Sequence, residues 1–378
     1  MKTTLWHGLT AAALAAGLSL GAHAGEIVVG QVVPLSGVLA TTGQQMVLGA
    51  KVYFDHVNSQ GGINGARIRH VVLDDGYKVD ETVRLTRRLI DKDKAVALFG
   101  YAGTANIGEL LKLGVLAEAG IALVAPYTGG EPLRKPFNPN IFHIRAGYAD
   151  EAEHMVNHLV TLGIGRIGVF YQNDAFGKAG LAGVEQALDK RGLKLAGVAS
   201  YERNTDDVSD AVKNLGSAQP DAIIMISVNK STAGFVKAYR AAGGAAQLFN
   251  ISVVDPAELV KLGGLANMHG LGIAQVVPYP YSPTLRVIRE YRELFRKYAP
   301  KDAAVSYTSF EEFIGAKVLV EGLRRAGPNP TPEKVLHALE ALGTYDAGGF
   351  QVSFSRENRI GSKFVEVTVI GREGALLR

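Results

Sequence analysis

The chain has no cysteine. That absence removes disulfide bridges, thiol chemistry and a lipid-attachment cysteine from consideration. Long hydrophobic runs are missing too: no stretch reaches the ~20 apolar residues that cross a bilayer without meeting charges or glycines. Charge of one sign is also scarce, with 40 basic and 36 acidic residues giving a formal net charge of +4 over 378 residues. So small an excess makes no case for a nucleic-acid partner. The pairs Arg87-Arg88 and Arg324-Arg325 fall inside helical patterns, where a solvated face accounts for them.

What is present begins with an address. Lys2 precedes a short apolar run from Leu9 to Leu20, and Ala22-His23-Ala24 offers a small-residue cleavage pattern before Gly25. Residues 1–24 are therefore expected to be a secretory signal peptide cut after Ala24, with the mature protein exported to the periplasm as a soluble chain. Roughly 350 residues then remain, enough for two domains that each bury a core.

From Gly25 the sequence alternates short β-rich apolar runs with amphipathic segments. The runs are "EIVVGQVVP", "RIRHVVLDD", "AVALFGY", "IALVAPY", "NIFHIRAGY", "RIGVFYQ", "KLAGVASY", "AIIMIS", "QLFNIS" and "GLGIAQVVP". Between the first two, Met46, Ala50, Tyr53 and Val57 recur at helical spacing and Gly61-Gly62 supplies a stop. Such alternation predicts an α/β fold of parallel sheets with helices on both faces. The pattern divides into two Rossmann-like lobes. The N-terminal lobe is expected over 25–145 and 277–347, and the C-terminal lobe over 146–276 and 348–378. After Pro278 come long helices and a late β pair, "GGFQVSF" and "KFVEVTVI", so several crossings join the lobes and make a hinge.

Two motif matches fail on context. "GIGRIG" (163–168) fits G-x-G-x-x-G, but a helix precedes it and a strand follows, the reverse of a dinucleotide fingerprint. "EAEHMVNH" puts Glu151, His154 and His158 on one helix face; without a further ligand it reads as a solvated polar face rather than a metal site. No Walker phosphate loop and no G-x-S-x-G turn occur, and no acid, base and nucleophile converge. The expectation is a binding protein without catalytic residue, metal or cofactor.

Four loops that follow strand ends remain, at 34–43, 100–108, 125–137 and 172–180, and an open α/β sheet binds its ligand at such ends. In the second, Gly103 permits close backbone approach, Thr104 offers a hydroxyl, and a helix begins with outward-pointing amides that suit a carboxylate. Thr104 acting only as a helix cap is the competing reading. Tyr101, Tyr127, Tyr148 and Phe176 fall in or beside these loops, where an enclosed pocket takes apolar walls and a few hydroxyls.

With these residues in view, the chain resembles the type I periplasmic solute-binding proteins of ABC transporters, in the leucine/isoleucine/valine-binding family. "GQVVPLSG" (30–37) with Gly43 and Gly49, and "NSQGGINGARI" (58–68), carry the resemblance; "VAPYTGG", "FHIRAGYADE" and "VFYQNDAFGKAG" match more loosely. The resemblance implies that Thr104 meets a ligand carboxylate and that the Tyr127-Thr128-Gly129 stretch meets its amine. Here the hydroxyl stands one residue earlier than in the family pattern. It also implies roles for Asp150 after the first crossing, for Phe176 where a tyrosine closes over the ligand, for Asn229 near another tyrosine position, and for Asp255 as the acid facing an amine. If Asp255 does not face the cleft, a carboxylic acid lacking an amine becomes the better ligand. The implied partner is a membrane permease and the implied state a monomer; a periplasmic sensor acting through a separate signalling protein is the alternative.

Overall fold

The computed structural model describes residues 25–378, so the expected signal segment 1–24 lies outside the described residues. Five strands build the first sheet: β1 Glu26–Val33, β2 Arg67–Asp74, β3 Ala97–Phe99, β4 Leu123–Val124 and β5 Ile141–Phe142. They lie in the order β2-β1-β3-β4-β5, all parallel. β3, β4 and β5 are buried at every residue, as parallel strands covered by helices on both faces must be.

The second sheet repeats that order. β6 Ile167–Gln172, β7 Gly197–Tyr201, β8 Ala222–Ile226, β9 Gln247–Asn250 and β10 Gly272–Gln275 run parallel in the sequence β7-β6-β8-β9-β10. A hairpin of β11 Gly343–Asp346 and β12 Gln351–Phe354 comes next, then β13 Glu366–Ile370 and β14 Leu376–Leu377, which extend the second sheet antiparallel beyond β10. Each apolar run named above contains one of the ten parallel strands.

The late β pair does not form. β12 pairs with β11 instead of β13, and Val352 and Phe354 join the core of the first lobe, where the Phe354 ring meets Phe142 edge-on at 5.1 Å. The chain therefore returns to the second sheet between Phe364 and Glu366 rather than at 348. We accordingly divide the lobes at the crossings near 143–147, 276–278 and 362–365.

One helix ties the first lobe to the cleft. Tyr307–Arg325 is buried on nearly all sides over Tyr307 to Leu323, the mark of an interior helix. Ser306 caps it, its hydroxyl accepting from the Ser309 amide at 3.1 Å. It crosses helix Ala40–Ser59 at Gly49, where a β-carbon would stand 2.0 Å from the Ser309 carbonyl oxygen. Only glycine admits that approach, and it seats Thr308 and Glu311 behind the cleft.

Candidate functional site

In an open sheet of order 2-1-3-4-5 the ligand site lies beyond the carboxyl ends of the strands, at the point where the winding reverses. Both lobes present that end to each other. Between them is a cavity of about 20 Å³, roughly the room one water needs. Its wall comes wholly from the loops and first helical turns after the strands. β1 leads to Leu39 and Thr42, β2 to Tyr77, β3 to Ala102 and Gly103, β4 to Tyr127 and β5 to Tyr148; from the other lobe, β6 leads to Phe176, β8 to Val228 and β9 to Val253.

The wall is aromatic and aliphatic, with hydroxyls and backbone but no charged side chain. Tyr148 and Phe176 meet across it in a T-shaped pair at 5.5 Å. A guanidinium stands outside two of its rings: Arg203 lies 3.6 Å from the Tyr77 ring centroid and Arg145 4.9 Å from that of Tyr127. Burial pushes both tyrosine hydroxyls up, the neighbouring arginine opposing it in each case, so both remain neutral donors.

Of the residues singled out in the sequence, Gly103, Tyr127, Tyr148 and Phe176 line this cavity. Gly103 has φ +96°, a conformation that L side chains rarely adopt, and no side chain caps the helix Thr104–Lys112 that it opens. Thr104 and Thr128 lie just behind the wall, hydroxyl to hydroxyl at 2.7 Å, and the Gly130 amide donates to Thr128 at 3.1 Å. Thr104 therefore does not cap its own helix. Gly129 packs so tightly on Tyr148 that a β-carbon would stand 2.8 Å from the Tyr148 nitrogen.

Four of the singled-out residues sit elsewhere. Tyr101 is fully buried in the outer core of the first lobe among Leu85, Ile107 and Leu110, its hydroxyl accepting from Thr86 at 3.1 Å. The left-handed turn at Gly100 (φ +56°) precedes it and sends the ring to the face that Leu98 also occupies. Asp150 accepts from the Gly147 amide at 3.0 Å and so caps helix Tyr148–Thr161. Asp255 caps helix Pro256–Gly263, accepting from Glu258 at 2.9 Å. Asn229 bridges the lobes instead of walling the cavity: it donates to Thr42 at 3.3 Å and accepts from the Asp255 amide at 2.8 Å. Helix starts explain all three polar cases, because the unpaired first amides capture the nearest side-chain oxygen.

A buried charge cluster lies behind Tyr127. Arg145, on the first crossing, stands 3.6 Å from Glu151, 3.5 Å from Glu311 and bonds to the Ser252 hydroxyl. Ser252 donates to Glu151 twice, through its amide at 2.8 Å and its hydroxyl at 2.9 Å. Burial would lower the Arg145 pKa, but Glu311 and Glu151 outweigh it and hold the guanidinium charged. Glu151 is therefore not on a solvated face with His154 and His158. The first turn of its helix is wedged between the lobes, whereas both histidines are exposed. Among the described residues no group of three or more His, Cys, Asp or Glu is placed to hold a metal ion.

A wider hollow of about 590 Å³ lies at the amino ends of β8 and β9, beside Gln219, Asp221 and Tyr239. That is the end of an α/β sheet that ligands do not use.

The sequence profile of the periplasmic binding protein family matches residues 26–373. The chain belongs to the periplasmic binding protein family. This periplasmic binding protein is 25% identical over 362 residues to Leu/Ile/Val-binding protein homolog 8 of Brucella abortus, covering 88% of this chain and 85% of that one. Among solved structures it is similar to a substrate-binding periplasmic protein from Ralstonia solanacearum, with 44% identity, a TM-score of 0.89 and coverage of 93% and 99% of the two chains. It also matches a possible leucine/isoleucine/valine-binding protein from Rhodopirellula baltica SH 1 at 27% identity and a TM-score of 0.88, covering 94% and 97%. The fold is thus that of the type I periplasmic binding proteins, and the relatives bind solutes.

Tyr77, Thr42, Val228 and Val253 in the wall, and Arg145 and Arg203 behind it, escaped the sequence reading. Tyr77, Val228 and Val253 follow β2, β8 and β9, so the strand-end rule reaches them when it is applied to every strand. Nothing in the sequence marks the two arginines.

Proposed function

We propose that this protein is the solute-binding component of an ABC importer and captures a small apolar monocarboxylate that carries no α-amine, with a branched or aromatic side chain. The absence of any acidic side chain from the cavity wall, with Asp255 committed to its helix, carries this reading. An ammonium group in that wall would be buried without a partner, at a cost of several kcal/mol. A carboxylate is better served. The uncapped amides at Thr104 and the Thr104–Thr128 hydroxyl pair offer donors, and Arg145 backs Tyr127.

A six- to nine-carbon acid enters only when the lobes part, and the wall side chains turn aside from the present cavity of about 20 Å³ as the lobes close again over it, so binding and lobe closure are one process. Closure then presents a surface to a membrane permease. The chain acts as a monomer, delivered to the periplasm by the signal segment cut after Ala24.

The test is calorimetry and thermal shift of the mature chain with two matched pairs: 4-methylpentanoate against leucine, and 3-phenylpropanoate against phenylalanine. Each pair differs only in the amine. A bound acid at 100 times its Kd stabilises by about 2.7 kcal/mol. Shifts with the acids and none with the amino acids are expected; tighter binding of leucine or phenylalanine than of their deamino partners would overturn the amine-free assignment.

A further inference from the structure

β2 and β7 are the strands farthest from the three crossings. β5 leads into the first crossing, β10 into the second, and β13 receives the third; each lies at or near the opposite end of its sheet. The loops after β2 and β7 are therefore the free ends of a two-lobed jaw, where a given hinge rotation moves atoms most. Across these two loops reaches Arg203.

The contacts of Arg203 divide by lobe. Within its own lobe it donates to Asp174 at 2.7 Å, and Asp174 is itself fixed by accepting from the Phe176 and Gly177 amides at 3.0 and 3.2 Å. Toward the other lobe it donates to the Tyr77 carbonyl at 2.6 Å and to the Asn106 side-chain oxygen at 2.7 Å, and its guanidinium lies over the Tyr77 ring at 3.6 Å. The Asn106 oxygen is presented to it by a chain of bonds: the Asn106 amide donates to Thr82 at 2.7 Å and Thr82 donates to Asp75 at 2.5 Å. Donor and acceptor are thus each held in place by their own lobe. Arg203 does not line the cavity.

We infer that Arg203 is a closure latch, which sets the affinity of this protein for all its ligands without selecting among them. The inference rests on the proposed two-lobe capture. Opening the jaw leaves the Arg203–Asp174 pair intact and breaks only the bonds to Tyr77 and Asn106 and the stack on the Tyr77 ring. Those interactions belong to the closed form alone, so they shift the open-to-closed equilibrium. Because no ligand atom takes part, the shift multiplies every dissociation constant by the same factor. Two charge-assisted or carbonyl hydrogen bonds and a cation–π contact shift the open-to-closed ratio by about tenfold or more, which raises every dissociation constant about fivefold or more where both forms are populated without ligand.

The experiment uses the native lack of cysteine: Arg87→Cys and Lys213→Cys, exposed on helices of opposite lobes, take spin labels whose separation reports opening. Distance distributions are compared for the doubly labelled protein with Arg203, with Arg203→Ala and with Arg203→Lys. Affinities for 4-methylpentanoate and 3-phenylpropanoate are measured in the unlabelled proteins. Arg203→Ala is expected to lengthen the ligand-free distances. It should weaken both acids by one common factor, expressed in faster release, while their affinity ratio stays unchanged. Arg203→Lys, which keeps the charge but not the planar fork, should fall between. Unchanged distances would overturn the latch, and so would a changed ratio between the two acids. Should neither acid bind, the ligand assignment fails and the ligand-free distances still decide the latch.

Discussion

Arg145 and Glu311 stand 3.5 Å apart, both buried, at the place where the chain first leaves the first lobe. Glu311 comes from the long interior helix and Glu151 from the first turn beyond the crossing, so the guanidinium is clamped by acids from both lobes. Removing the cation leaves those acids buried without a counter-charge. Arg145→Met is expected to lower the unfolding free energy by about 3–5 kcal/mol in urea titration. The triple change Arg145→Met, Glu151→Gln, Glu311→Gln should recover most of it. A single variant within 1 kcal/mol of the parent, on the order of an exposed pair, would show that the cluster is not a buried ionic unit.

The same cluster sets a pH dependence. Burial, opposed by Arg145, pushes the Glu311 carboxyl from its ordinary 4.5 up to about 7. Between those values the folded protein keeps a proton that the unfolded chain has lost, so this group makes stability fall as pH rises from about 4.5 to 7. The full excursion is on the order of 3 kcal/mol. Denaturant unfolding at several pH values, parent against Glu311→Gln, isolates it: the difference between the two should change across that window and level off above it. A pH-independent difference would refute the assignment.

Asp255 separates two roles that one residue type can play. As a helix cap, its change to Ala should cost about 1 kcal/mol, whereas Asn caps as well as Asp and should be nearly neutral. Neither change should alter the affinity for 3-phenylpropanoate. An amine-binding acid would behave otherwise, since Asp255→Asn would then abolish binding of amino acids while leaving stability intact.

Tyr101 and Phe176 make the complementary pair. Tyr101→Phe removes one buried hydrogen bond to Thr86 and should cost about 1 kcal/mol of stability with no change in ligand affinity. Phe176→Ala takes away the cavity-side ring that meets Tyr148, and should weaken 3-phenylpropanoate by at least about tenfold. Titration calorimetry of both variants checks this; loss of affinity in Tyr101→Phe would return Tyr101 to the site.

Much of the fold was legible because parallel strands buried on both faces must be written as continuous apolar runs, and the helices between them as amphipathic stretches. The runs containing β1, β3 to β6 and β8 to β10 are of that kind, while β2 and β7, at the sheet edges, are part-exposed and more polar. The hairpin is not legible because its strands are four residues long and half-exposed: whether "GGFQVSF" pairs with the segment before it or after it depends on which core Phe354 can reach. Within the cavity, Gly103, Tyr127, Tyr148 and Phe176 follow from the rule that ligand loops succeed strand ends. Asp150, Asn229 and Asp255 stand at comparable places, yet helix amides and the facing lobe claim their polar atoms.

The sequence by itself determined the class of architecture, the strand order of events along the chain and the loops that face the cleft, since periodicity and turn chemistry are local properties. The tertiary structure decided which way each side chain turns at those loops and which distant charges come together. Arg145 with Glu311, and Arg203 with Tyr77 and Asn106, are separated by roughly a hundred residues or more along the chain. Such pairs exist only once two sheets have packed, because no local pattern encodes a partner so far away in the chain.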